Sequence, residues 1–250
     1  MIAILSPAKT LDYTSTLPDL SWSAPRFPEE SGQIARGAAR LGAAKLASLM
    51  RISPKLAALN AGRYRDFADA EERPALLAFA GDVYAGFDAK SLEAAQFDFA
   101  QDHVRILSGL YGLLRPLDAI RPYRLEMGTR WAPGRAKDLY AFWGDRIADL
   151  LAEDVGGSGS EVVLNLASQE YWHAVAGKLP DGIRVIDVDF REDGPEGPRF
   201  VSFHAKRARG MMARWMCEHR VTSVEAMQGF DSDGYRFVGA EGDRWMFVRG

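Results

Sequence analysis

DFAQDHVRILSGLYGLLRPLDAIRPYRLEMGTRW, residues 98–131, decides how the rest of the chain is read. A short apolar run, Val104 to Leu107, ends where Ser108, Gly109, Tyr111 and Gly112 interrupt any regular element. Arg115-Pro116, Arg121-Pro122 and Arg124 follow, with Glu126, Arg130 and Trp131 close behind. Proline lacks an N–H and its ring clashes with the preceding helical turn, so Pro116 and Pro122 exclude a continuous helix interior. The stretch therefore reads as strand, glycine-permitted turn and irregular basic segment. Irregular segments rich in Arg, Tyr and Trp line something more often than they form a core, and the other elements are expected to be arranged around this one.

Outward from it, apolar runs at Ile2–Leu5, Leu76–Ala80 and Val162–Leu166 read as buried strands. Ile183–Phe190 and Arg199–Phe203 flank EDGPEGP and read as an antiparallel pair. Tyr235–Val238 and Arg244–Val248 supply two more strands. Residues 12–30 look like an arm lying across the surface. Helical spacing runs from near Ser31 through Leu49, with Gly37 and Gly42 as weak points. Further helices are expected over Asp138–Glu153, from Gln169, and over about His204–Arg220. GGSGS at 156–160 reads as a loop tip rather than a domain linker. Strands and helices in this order predict an α/β fold: one domain over residues 1–250, with a mixed parallel and antiparallel sheet.

The 250 residues are 47% hydrophobic and 26% charged, an ordinary globular composition. No apolar run approaches the ~20 residues of a membrane helix. The opening MIAILSPAKT has neither a charged n-region nor a cleavage site, so no signal peptide is read there. The single cysteine, Cys217, fits a reducing compartment, and a cytoplasmic location is expected. A net charge of −3 argues against a protein that coats nucleic acid with its whole surface. Charge is uneven, however: five basic residues face one acidic over Arg121–Lys137, six face one over Arg199–Arg220, and two face six over Asp181–Glu196. A local basic surface on an acidic body suits a phosphate-bearing partner, though simple solvation accounts for it equally.

Three places carry chemistry. LASLMRISPKLAALN, residues 46–60, parallels the LxxLxGIGPKxAxxL pattern of helix-hairpin-helix motifs but has Arg51 and Ser53 where the glycines stand. Ser53 is a good N-cap and Pro54 suits the first helical position. The free N–H groups of such a turn, beside Arg51 and Lys55, make a phosphate site, or simply a capped turn within the fold. Lys206, Arg207 and Arg209 fall near the start of a helix, where positive charge opposes the macrodipole; Met211, Met212, Trp215 and Met216 read as core. Polar residues also follow the strands: Ser6 and Lys9, Asp82 and Tyr84, Ser108 and Tyr111, Asn165 and Ser168. Ligands of open α/β sheets sit beyond the carboxyl ends of strands, so these could converge with Arg124 and Glu126, or be ordinary turn chemistry. The histidines show no ligand spacing, and neither a nucleophile elbow, GxGxxG nor Walker A is present, so no metal or cofactor is expected.

ILSPAKTLD (4–12), LMRISPKLAALNAGRY (49–64), AFAGDVYAG (78–86), the opening stretch to Thr129, YAFWGD (140–145), VVLNLAS (162–168) and SFHAKRARGMMAR (202–214) resemble the YaaA peroxide-stress family. The likeness runs from Met1 to about Phe237. It implies a cytoplasmic protein that limits free iron and oxidative damage to DNA and protein, with a positively charged cleft and a helix-hairpin-helix element at about residues 33–64. The partner it implies is double-stranded DNA, contacted at Arg51, Ser53 and Lys55 and along a basic cleft of Lys9, Arg121, Arg124, Lys206, Arg207 and Arg209. No membrane partner and a monomer are expected. The competing reading is an enzyme acting on a nucleotide, nucleobase or other phosphorylated small molecule, with Lys9, Tyr123 and Glu126 as its catalytic candidates. No activity is established by the residues alone.

Overall fold

In the computed structural model, which describes residues 1–250, the strands of three or more residues form one seven-stranded sheet. They are β1 (Ile2–Leu5), β2 (Val104–Ser108), β3 (Gly112–Leu114), β4 (Val162–Leu166), β5 (Arg184–Glu192), β6 (Tyr235–Glu241) and β7 (Arg244–Arg249). Their order is β6-β7-β5-β4-β1-β2-β3. The inner five are mutually parallel, whereas β3 and β6 run antiparallel at the two edges. Every residue of β1 and β2 is buried. Successive side chains of a strand point to opposite faces, so both faces of the sheet are covered here. That is why β1 reads as an unbroken apolar run, and β2 as one broken only by Arg105 before Ser108, rather than as alternating strands. The sheet and its helices share one core of 62 buried residues.

The helices of six or more residues are α1 (Pro28–Ala39), α2 (Gly42–Met50), α3 (Pro54–Arg65), α4 (Asp82–Phe87), α5 (Ala94–His103), α6 (Arg146–Gly157) and α7 (Ser202–Glu218). The helical spacing read from Ser31 to Leu49 is split into α1 and α2 at Gly42, which stands at φ +70°. The helix expected over Asp138–Glu153 is likewise broken, because Gly144 at φ +55° separates Leu139–Trp143 from α6.

Two strand expectations are corrected. Leu76–Ala80 is a short helix, Ala75–Ala78, followed by a two-residue strand, Phe79–Ala80, that pairs antiparallel with Thr10–Leu11. Every residue from Arg73 to Phe79 is buried, so no periodicity distinguishes a strand from a buried helical turn. Arg199–Phe203 forms no hairpin with β5. Only an isolated bridge joins Glu192 to Arg199, and the chain enters α7 at Ser202. Pro198 offers no N–H for a ladder, and both flanks of β5 are already occupied by β4 and β7. The early start of α7 also moves Lys206, Arg207 and Arg209 beyond the first turn, where the opposition of the macrodipole fades.

The arm expected over residues 12–30 crosses the molecule and is tied down by buried acids. Ser23 donates to Asp118 at 2.6 Å, and Arg26 makes a bidentate pair with Asp154 at 2.7 and 2.9 Å. Asp154 also accepts from Nε of Arg105, the one charged side chain inside β2, at 2.6 Å. Burial works to raise the Asp154 pKa, but the hydrogen bonds from Arg26 and Arg105 hold it below the usual carboxylate range.

Helices α4 and α7 cross with almost no space between them. A Cβ on Gly210 would overlap the Val83 carbonyl, and one on Gly86 would overlap the Arg207 carbonyl. Gly210→Ala should therefore cost about 1–3 kcal/mol or more through overpacking, read as a lower denaturant midpoint. Gly156→Ala, whose Cβ meets nothing within 4 Å, should not lower it. Asp154→Asn, which leaves Arg105 buried without its counter-charge, should cost roughly 3–5 kcal/mol at neutral pH. Because the folded pKa of Asp154 is depressed, its contribution is fully present above the unfolded pKa and lost as pH falls. The variant should thus lose less stability on acidification than the parent, measured by denaturant melts across an acid series.

Candidate functional site

Three parallel neighbours, β4, β1 and β2, end side by side, and the polar residues that follow them meet there. Ser6 Oγ accepts from the Ser168 N–H at 2.8 Å and donates to Ser168 Oγ at 3.2 Å. The Tyr84 hydroxyl donates to the Ser6 carbonyl at 3.0 Å. Ser108 Oγ accepts from the Tyr111 N–H at 2.9 Å and lies 2.7 Å from the Tyr123 hydroxyl. Asn165 is turn chemistry instead: it accepts from the Ala167 N–H and donates to Asp187.

The irregular segment after Pro122 lies directly on these strand ends. Gly109 permits the approach, since a Cβ there would stand 2.6 Å from the Leu125 carbonyl oxygen. The Tyr64 hydroxyl, at the end of α3, donates to the Arg124 carbonyl at 2.9 Å and fixes the segment from the other side. The segment carries Glu126, whose Oε1 is held by Arg124 at 2.9 Å and by Lys9 Nζ at 3.3 Å. Its Oε2 is buried and has no hydrogen-bond partner. An unpaired buried carboxylate oxygen is costly, and this one accepts nothing from the chain. The Lys9 side chain is 63% exposed and that of Glu126 13%, so the centre meets solvent at the lysine.

Burial raises the pKa of Tyr64, Tyr84, Tyr123 and Tyr171 above the usual tyrosine value. For Tyr123, the Ser108 hydrogen bond opposes that rise without cancelling it. Tyr123 thus stays protonated at neutral pH and can donate a hydrogen bond but not act as a base. Among the three catalytic candidates, the geometry joins Lys9 and Glu126 directly, whereas the buried Tyr123 hydroxyl is engaged with Ser108.

The second predicted site is the turn between α2 and α3. Arg51 stands in the left-handed region at φ 51°, where the motif's glycine would stand. Its N–H and that of Ile52 both return to the Ala47 carbonyl. Ser53 caps α3, its Oγ accepting from the Leu56 N–H at 3.3 Å, and Pro54 takes the first helical position. These bonds use up part of the donor set. The N–H groups of Ser53 and Lys55 remain without an acceptor in the chain. Arg51, Ser53 and Lys55 are exposed, and neither cation has a carboxylate within 4.0 Å.

The remaining basic residues divide. Arg121 pairs with Glu72 at 2.9 Å and lies 5.7 Å over the Phe67 ring. Arg124 and Lys9 share Glu126. Arg209 is spent on the Leu166 and Ala167 carbonyls at the end of β4, and burial lowers its pKa. Lys206 and Arg207 are exposed and form no ion pair. The expected basic cleft is therefore largely neutralised at Lys9, Arg121 and Arg124, leaving Arg51, Lys55, Lys206 and Arg207 uncompensated.

The sequence reading did not single out Arg36 and Arg40, which with Arg65 and Arg121 line a cavity of about 680 Å³ between α1, α3 and the Ala119–Ile120 strand. Their signal was the i, i+4 repeat of arginine on α1, which places both on one helix face. No three His, Cys, Asp or Glu side chains group as a metal-binding set, and no helix is long and apolar enough to cross a membrane.

A family model described as Peroxide stress protein YaaA matches residues 1–241. A UPF0246 protein of Rhizorhabdus wittichii is 65% identical over 251 residues, covering 100% of this chain and 99% of that protein. UPF0246 proteins of Burkholderia multivorans and Burkholderia cenocepacia are 48% and 47% identical over 254 residues, each alignment covering 99% of this chain and 97% of the relative. The strand-end centre and the α2–α3 turn thus lie wholly within the matched residues, and the chain belongs to the YaaA family of peroxide stress proteins.

Proposed function

We propose that this peroxide-stress protein binds double-stranded DNA through a helix-hairpin-helix formed by α2 and α3, and there limits iron-dependent oxidative damage. The observation that carries this reading is the turn itself. It presents two backbone N–H groups without acceptors beside two exposed, unpaired cations, Arg51 and Lys55. Such a surface takes phosphate oxygens by hydrogen bonding and charge together. Arg51 reaches the left-handed conformation that glycine supplies in the motif, so the turn keeps its path while adding a guanidinium. The contacts address the phosphodiester backbone, so binding is expected without sequence preference.

A second reading is favoured by one specific atom, the buried and unpartnered Oε2 of Glu126. A carboxylate gripped through one oxygen by Lys9 and Arg124, with the other oxygen left unbonded, is an arrangement for proton transfer on a phosphorylated or nucleotide-like molecule. Duplex binding alone needs no such carboxylate.

Arg51→Glu combined with Lys55→Glu should weaken binding to a duplex oligonucleotide and reduce the magnitude of the log K against log salt slope by about 2, one for each lost phosphate contact. Unchanged affinity and slope would remove the turn from the account. Glu126→Gln should leave duplex affinity unchanged and lower the survival of peroxide-challenged cells. Full survival with that variant would reduce the strand-end centre to a structural role.

A further inference from the structure

The cavity of about 680 Å³ between α1, α3 and the Ala119–Ile120 strand belongs neither to the DNA-facing turn nor to the strand-end centre. Its inner wall is aromatic. Tyr64 and Phe67 stack with ring centroids 6.5 Å apart, and Phe67 and Tyr111 follow at 6.5 Å. Both tyrosine hydroxyls are engaged away from the opening, Tyr64 donating to the Arg124 carbonyl and Tyr111 accepting from the Arg121 N–H. Four arginines, Arg36, Arg40, Arg65 and Arg121, line it against one acid, Glu72.

These arginines are not equally committed. Arg65 pairs with Asp66 and Arg121 with Glu72, whereas Arg36 and Arg40 have no carboxylate partner. The Arg36 guanidinium folds back over Gly32, with Nη1 3.0 Å from where a Cβ would stand, so the bare glycine makes room for it in the lining. Arg121 Nε is buried and has no acceptor. A buried N–H without an acceptor is a donor awaiting one.

We propose that this cavity binds a small molecule that joins a planar ring to two or more negative charges, a nucleoside diphosphate in chemical class. The volume falls within the range of roughly 300–1,000 Å³ that small-molecule sites occupy. The ring would lie against Phe67, whose ring Arg121 overhangs at 5.7 Å, and against the edges that the buried Tyr64 and Tyr111 leave at the lining. The phosphates would take the forked donors of Arg36 and Arg40, whose planar guanidinium matches phosphate oxygens two at a time, with Arg121 Nε as the buried donor between ring and phosphates. The proposal stands apart from the duplex contact at the α2–α3 turn, because it uses neither Arg51 nor Lys55; Arg121 is the residue it shares with the basic cleft that the family likeness implies.

The test is calorimetric titration of the full chain with ADP, GDP, adenosine and inorganic pyrophosphate. A nucleoside diphosphate is expected to bind, with adenosine and pyrophosphate each weaker by about tenfold or more, since each supplies only one half of the recognition. Arg36→Ala with Arg40→Ala should lower that affinity by roughly tenfold or more while leaving the thermal midpoint in place, both side chains being exposed. Binding should persist in the Arg51→Glu/Lys55→Glu protein, which separates this site from the DNA turn. No binding of either diphosphate at millimolar concentration would overturn the proposal. So would pyrophosphate binding as tightly as ADP, or equal affinity in the Arg36/Arg40 variant and the parent.

Discussion

Ile2–Leu5 lies in the middle of the sheet with apolar cover on both faces, and the rest of the molecule answers to that burial. A strand hidden on both sides needs neighbours on both edges and helices above and below. β2 and β4 supply the edges in parallel. Parallel pairing forces long returns through helices, so residues as distant as Ser6, Ser108 and Ser168 leave the sheet at one end. The polar centre follows from that topology. There Ser6 pairs with Ser168, while Tyr84 and Tyr123 reach in to the Ser6 carbonyl and Ser108.

The basic segment seated on those strand ends is held by backbone as much as by charge. Gly109 lets the Leu125 carbonyl come within contact of the strand, and Tyr64 holds the Arg124 carbonyl from α3. With the backbone fixed, Lys9 and Arg124 converge on one oxygen of Glu126 and leave the other bare. Lys9 and Arg124 thus spend their charge on the same carboxylate. Asp154 repeats the pattern inside the fold, where Arg26 and Arg105 share one carboxylate and thereby hold the arm.

Much of this was legible in the residues. The apolar run Ile2–Leu5 and the largely apolar runs Val104–Leu107 and Val162–Leu166 mark doubly buried strands, and Ser53-Pro54 marks the start of α3. The polar residues after those strands were visible as candidates for convergence. Leu76–Ala80 was misread because total burial erases the periodicity that separates helix from strand. Arg199–Phe203 was misread because turn residues signal a reversal without saying whether a pairing edge is vacant. The Arg36–Arg40 cavity was invisible, since two helical arginines become a lining only when α3 and the Ala119–Ile120 strand close the opposite wall.

By itself, the order of residues determined local matters: which segments are buried, where helices start, and the family likeness carried by long matching blocks. These depend on chemistry within a few neighbours of each residue. The tertiary structure alone decided which positive charges remain free. Arg121, Arg124 and Lys9 meet carboxylates, and Arg209 meets carbonyls, while Arg51, Lys55, Lys206 and Arg207 do not. The physical reason is that electrostatic and hydrogen-bond partners are selected by distance in space, which strand order and helix crossing set and a linear spacing does not contain.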